Sequence, residues 1–101
     1  MPEVRFEVVW PDGSAPAYYS PSLIVEEYFA PGRSYPVAEF VRLSREALAI
    51  ASDRVEAKYG FPCSRSAATL AAIESKARHA GAAGDDAHPV VPMVTIRAFH
   101  R

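Results

Sequence analysis

The stretch from about Pro36 to Tyr59 constrains the fold more than any other part of this 101-residue chain. Val37, Phe40, Val41, Ser44, Leu48, Ala51 and Val55 recur at the spacing of one helical face, and Arg42, Glu46, Asp53 and Glu56 mark the opposite, charged stripe. At ~1.5 Å per residue the helix spans about 36 Å, the width of a small domain. Leu43, Ala47 and Ile50 widen the apolar face, so a second helix, or a partner, has to pack beside it. Gly60 follows as the expected left-handed cap, Pro62 stops any continuation, and Phe61 is placed to fold back on the last turn.

The flanking segments supply what that helix packs against. Val4, Phe6, Val8 and Trp10 alternate with Arg5, Glu7 and Val9, the period-two pattern of a strand with one buried face. "WPDGS" reads as a tight turn into a second strand over roughly Ala15 to Tyr19, where Pro16 cannot donate to a ladder and so assigns that strand to a sheet edge. "YSPSLIVEEYFAPG" then changes to helical spacing. Ser20 is the expected cap and Pro21 the first position, and Gly32 is either the closing left-handed residue or part of a turn with Pro31. Ser64 suits the cap of a third helix running to about His79, with Ala67, Leu70, Ile73 and Ala77 inward. Val94, Ile96 and Ala98 alternate with Thr95, Arg97 and Phe99 in a last strand.

The expected fold class is therefore α+β, with element order ββαααβ. It comprises a three-stranded, mostly antiparallel sheet in the order 2-1-3, with three helices packed on one face and Val9, Thr95, Arg97 and Phe99 on the other. Residues 1–101 form one domain, with a flexible loop expected at about 80–90, where "HAGAAGDDAHP" is small and polar. In that arrangement the last strand is a free, proline-less edge, which argues for a homodimer by two-fold edge pairing.

Composition narrows the partners. The formal net charge is −1 and no basic block exists, so nucleic acid is not an expected ligand. No apolar run approaches the ~18 residues of a membrane span, and "MPEVRFEVVW" lacks the layout of a signal peptide, so a cytoplasmic protein with no membrane contact is expected. The single cysteine cannot form an internal disulfide.

Little in the chain looks like chemistry. Cys63, in "KYGFPCSRS", precedes a helix whose amides and dipole favour a thiolate, and Arg65 is close by, but His79, His88 and His100 stand in no motif with it. Packing of a small thiol at a turn is the simpler account, and Cys63 stays a candidate nucleophile only. Those histidines with Asp85, Asp86 and Cys63 show no local metal-ligand spacing, so neither a metal nor a cofactor is expected. The tyrosines are the other candidates. Tyr19, Tyr28, Tyr35 and Tyr59, with Arg33, flank the turns, either sealing the ends of the sheet–helix layer or lining a binding pocket.

The motifs "WPDGS", "YSPSLIVEEYFAPGRSYPVAEFV", "ALAIASDRV", "KYGFPCS" and "AAIE", in that order, resemble a family of small bacterial nitrogen-starvation-response proteins over about residues 1–75. The resemblance implies a gene cluster linked to nitrogen or nitrile use, with a nitrilase, a radical-SAM protein, an acetyltransferase-like protein and a flavin-dependent oxidoreductase as neighbours. It brings no catalytic residues. The function so implied is that of a non-catalytic accessory or binding protein of such a cluster, with a cluster-encoded enzyme as a possible partner. The alternative is a small enzyme or covalent carrier that uses Cys63 as a reactive thiol.

Overall fold

The structure, a computed structural model, describes residues 3–82 and 92–101. Along the chain the elements are β1 (Val4–Val9), β2 (Ala17–Ser20), α1 (Val25–Tyr28), β3 (Ser34–Pro36), α2 (Val37–Tyr59), α3 (Ser64–Ala82) and β4 (Met93–His100). The α+β class and the three helices match the expectation, but the sheet has four strands in the order β2-β1-β4-β3, not three in the order 2-1-3. Every pairing in it is antiparallel.

The added strand is "SYP", which reads in the sequence as the lead-in to α2. Pro31 and Gly32 make a turn in which the Arg33 amide donates to the Ala30 carbonyl at 3.1 Å, with Gly32 at φ +86°. Glycine enters that region without the Cβ penalty, so the turn needs it. The turn lays the next residues along β4. The Gly32 amide donates to the Ile96 carbonyl at 2.7 Å, the Ile96 amide to the Arg33 carbonyl at 2.9 Å, and Tyr35 pairs with Val94. Two-fold strand pairing is expected only if β4 has a free edge. The stretch from Met93 to Ile96 is instead already covered from within the chain, so that reason falls away. The two edge strands are now β2, which follows Pro16, and β3, which contains Pro36. Proline at an edge discourages further pairing.

A bulge resets the last strand. Glu7 pairs with Ala98 but Val8 pairs with Ile96, so Arg97 is the extra residue on β4. Strict alternation puts Phe99 on the outer face. Past the bulge it stands opposite Phe6 and packs against the core instead.

The core lies between the inner sheet face and the helices. Val4, Phe6 and Val8 of β1 and Val94 and Ile96 of β4 are buried, as are all the inward α2 residues the spacing picks out, from Val37 to Val55. Phe29 is the centre of an aromatic group, with ring centroids 6.0 Å from Phe6, 5.2 Å from Phe40 and 5.4 Å from Tyr35. Trp10 meets Phe40 edge-on at 5.5 Å, and its indole N–H donates to the Tyr18 hydroxyl at 2.9 Å. Burying each such ring stabilises the fold by roughly 1.5–3 kcal/mol.

The widened apolar stripe of α2 is absorbed within the chain, since Ala47 is fully buried and Leu43 and Ile50 are half-buried against the core. Helix α1 is shorter than expected because the serines before it are spent on each other. The Ser20 hydroxyl donates to the Ser22 carbonyl at 2.7 Å and Ser22 Oγ accepts from the Ile24 amide at 3.3 Å, which holds a turn rather than a first helical turn. Helix α2 ends as its sequence indicates, with Gly60 at φ +87° and its amide bonded to the Glu56 carbonyl at 2.8 Å. Of the loop expected at about 80–90, residues 80–82 continue α3 and the rest lies outside the described residues.

Candidate functional site

The candidate residues from the sequence fall into separate places. Cys63 precedes the first residue of α3, which makes it, and not Ser64, the capping residue. Its Sγ accepts from the Ser66 amide at 3.4 Å, its carbonyl accepts from the Ala67 amide at 3.3 Å, and its own amide donates to Ser52 Oγ at 3.3 Å. Sulfur thus fills the role that a serine or aspartate oxygen usually fills at a helix start. The side chain is half-exposed.

Tyr19, on β2, lies beside this cap. The Arg65 guanidinium stacks over its ring at 3.8 Å from the centroid, and its carbonyl accepts from the Thr69 hydroxyl at 2.8 Å. Partial burial pushes the Tyr19 phenol above its ordinary range, helped by the nearby Glu3 carboxylate. Arg33 is exposed on the turn before β3, and the half-buried Tyr35 hydroxyl accepts from the Ala30 amide at 3.1 Å. Tyr28 closes α1, half-buried against the core. Tyr59, 54% exposed, stands at the far end of α2, about 33 Å along the helix from Val37. Phe61, 63% exposed, protrudes from the turn that follows. Tyr19, Tyr28, Arg33, Tyr35 and Tyr59 thus stand at several turns and element ends, with Tyr59 far from the others along α2. Among the described residues no three side chains of metal-ligating type come together. His79 engages its own helix through the Ser75 carbonyl, and His100 faces Glu7 at 3.3 Å. Asp85, Asp86 and His88 lie outside the described residues.

The larger clefts of the described residues lie elsewhere: one of about 710 Å³ is open between β2 and α3, lined by Pro16, Tyr18, Lys76 and His79, and the other is formed by the two long helices. A cleft of about 660 Å³ lies between the first half of α2 and the last half of α3. Val37, Val41 and Ala77 make its floor, and Arg45, Glu74 and Arg78 its charged rim, with Arg45 Nε 3.4 Å from the Glu74 carboxylate. Pro36 and Pro92 close one end, where the Val37 amide donates to the Pro92 carbonyl at 3.1 Å. None of the tyrosines that the sequence singles out lines it, nor do Arg33 and Cys63. The sequence does carry a signal for it. Val37, Val41 and Arg45 are four apart along α2, as are Glu74 and Arg78 along α3, so each helix has a stripe that passes from core to charge.

A volume of this size falls within the range of small-molecule cavities. The class so defined is a small α+β protein with a cleft between its two long helices, apolar below and charged at the rim. A family model described as nitrogen starvation-induced protein NitG matches residues 5–95, and the chain belongs to that family. The match runs from β1 through Thr95 in β4 and so takes in both helices of the cleft. No curated protein and no solved structure matches the chain.

Proposed function

We propose that this nitrogen starvation-induced protein is a cytoplasmic accessory protein that binds a small molecule in the α2–α3 cleft and does not itself catalyse a reaction. The observation that carries the reading is the cleft, formed by the two longest helices and lined by residues of both. The use of Cys63 Sγ as a helix cap supports it, since that thiol already has a structural task. Contact with a protein partner, either a second copy or an enzyme of a nitrogen- or nitrile-linked gene cluster, belongs to the same proposal. It would use Tyr59 and Phe61, the most exposed aromatic side chains of the described residues.

Complementation in nitrogen-starved cells tests the reading. Ala38→Trp puts a large ring into the cleft from an exposed position of α2 and is expected to abolish rescue while the protein stays folded. Cys63→Ala is expected to rescue as well as the natural chain. The opposite pattern favours the second reading, an enzyme or carrier acting through Cys63, for which the half-exposure of that side chain is the supporting observation.

A further inference from the structure

We infer that the α2–α3 cleft takes a small carboxylate with a short apolar body. The inference rests on the cleft being the binding site and adds the chemistry of its ligand. The rim holds two guanidiniums, Arg45 and Arg78, and one carboxylate, Glu74, so the lining carries a net charge of +1. Arg45 meets Glu74 through Nε at 3.4 Å, a long and solvent-exposed pair. Such a pair is weak enough for a ligand carboxylate to compete for the guanidinium, and guanidinium forks match a carboxylate in two parallel hydrogen bonds.

Below the rim the described lining residues offer no polar side chain. Val37 and Val41 are 8% and 9% exposed, and Ala77 is half-buried beside them. A ligand entering head to rim therefore lays hydrocarbon on the floor. A floor made of two valines and an alanine rejects a charged or amide-rich body, which would lose its hydration there without a partner. A cationic ligand is disfavoured by both arginines. Charge and the apolar floor together favour a monoanion with a short aliphatic or aromatic tail, small enough for a cavity of this volume.

The test uses the full chain, isotope-labelled, and follows backbone and methyl shifts on titration with hexanoate, hexanamide and hexylamine. Hexanoate is expected to shift the Val37, Val41 and Ala77 signals, with hexanamide weaker by ~10-fold, the loss of a charge-assisted pair of bonds, and hexylamine without effect. Arg45→Gln with Arg78→Gln is expected to bring hexanoate down to the level of hexanamide. Arg97→Gln, on the outer sheet face, is expected to change nothing. Equal affinity for hexanoate and hexanamide at the cleft overturns the carboxylate assignment but leaves the cleft as a binding site. Absence of cleft shifts with every probe, together with full rescue of starved cells by Ala38→Trp, overturns the binding reading itself. Hexanoate binding that appears only when residues 83–91 are replaced by a glycine-serine linker assigns the cleft to the chain's own segment and overturns the inference.

Discussion

Replacing Cys63 separates a structural thiol from a reactive one. In Cys63→Ala the Ser66 amide loses its acceptor at the start of α3, while the Ala67 bond to the backbone carbonyl stays. Loss of a capping side chain costs about 1 kcal/mol, and the long, sulfur-based bond places this one toward the lower part of the usual range. A little packing goes with it, because the side chain is only half-buried. For a domain of this size about 1 kcal/mol lowers Tm by roughly 4–8 °C. Cys63→Ser is the matched control. Its oxygen is the better cap, so it is expected to unfold at or above the natural midpoint. Urea unfolding followed by circular dichroism reads both, and the slope m should not change, since the same surface is exposed. An alanine variant as stable as the natural chain, or a serine variant as destabilised as alanine, refutes the capping role. A serine variant that folds natively yet fails to rescue starved cells refutes the structural reading altogether, because it keeps the cap and removes only the sulfur.

Other perturbations address other levels of the fold. Gly60→Ala forces a Cβ into a backbone at φ +87° with nothing within 4 Å of it, so the cost is conformational alone, about 1 kcal/mol by thermal unfolding, with Gly60→Asn costing less; an unchanged Tm for alanine goes against the cap. Thr69→Val removes the hydroxyl that holds α3 to the Tyr19 carbonyl of β2, and is expected to cost about 1–2 kcal/mol and to raise hydrogen exchange in β2 before the other strands. Asp12 is held below the ordinary aspartate range by Lys76, then by the amide and hydroxyl of Ser14. The folded value is depressed, so its contribution is present at neutral pH and fades as pH falls below the ordinary value near 3.8. Asp12→Asn should therefore flatten the acid limb of the stability curve below about pH 4 relative to the natural chain, and a parallel acid limb rules the ion pair out as a contributor. Phe61→Ser should leave stability within about 0.5 kcal/mol of the natural chain while abolishing any concentration-dependent mass seen by light scattering; persistence of that association moves the interface away from Phe61.

The parts of the fold that a period can encode are legible in the sequence. All of the inward α2 residues are buried, Gly60 ends the helix in the left-handed region, and β1 alternates as written. What stays hidden is short or depends on a distant partner. Ser34 to Pro36 has no room for a period and becomes a strand only because Val94 to Ile96 offers its backbone groups. The bulge at Arg97 is a property of the β1–β4 pair, which neither strand announces alone. On α3 the spacing puts Ala67 inward, whereas Ser66 and Thr69 take the buried places because each hydroxyl has a carbonyl waiting, at Leu48 and at Tyr19. The tyrosines stand out by residue type, which says that a ring has an apolar body and a polar tip but not whether several rings share a wall. Each helix shows its half of the cleft as a stripe that passes from core to charge, but the halves lie far apart in the chain and neither says that it faces the other.

The pairing of β1 with β4 sets the order in which the molecule can be made. Arg5 faces His100, so the innermost ladder of the sheet joins two segments separated by nearly the whole chain. Until β4 has left the ribosome, β1 has only the short β2 beside it, and a lone two-stranded hairpin is marginal in water. The helices can form early, but their apolar faces wait for half of the surface they bury against. Closing so long a loop is also slow, since its entropy is lost before the contacts that offset it are made. The nascent chain leaves inward residues of α2 such as Phe40 without the sheet they pack on until β4 is available, so slower supply of β4 is expected to lower the yield of folded protein.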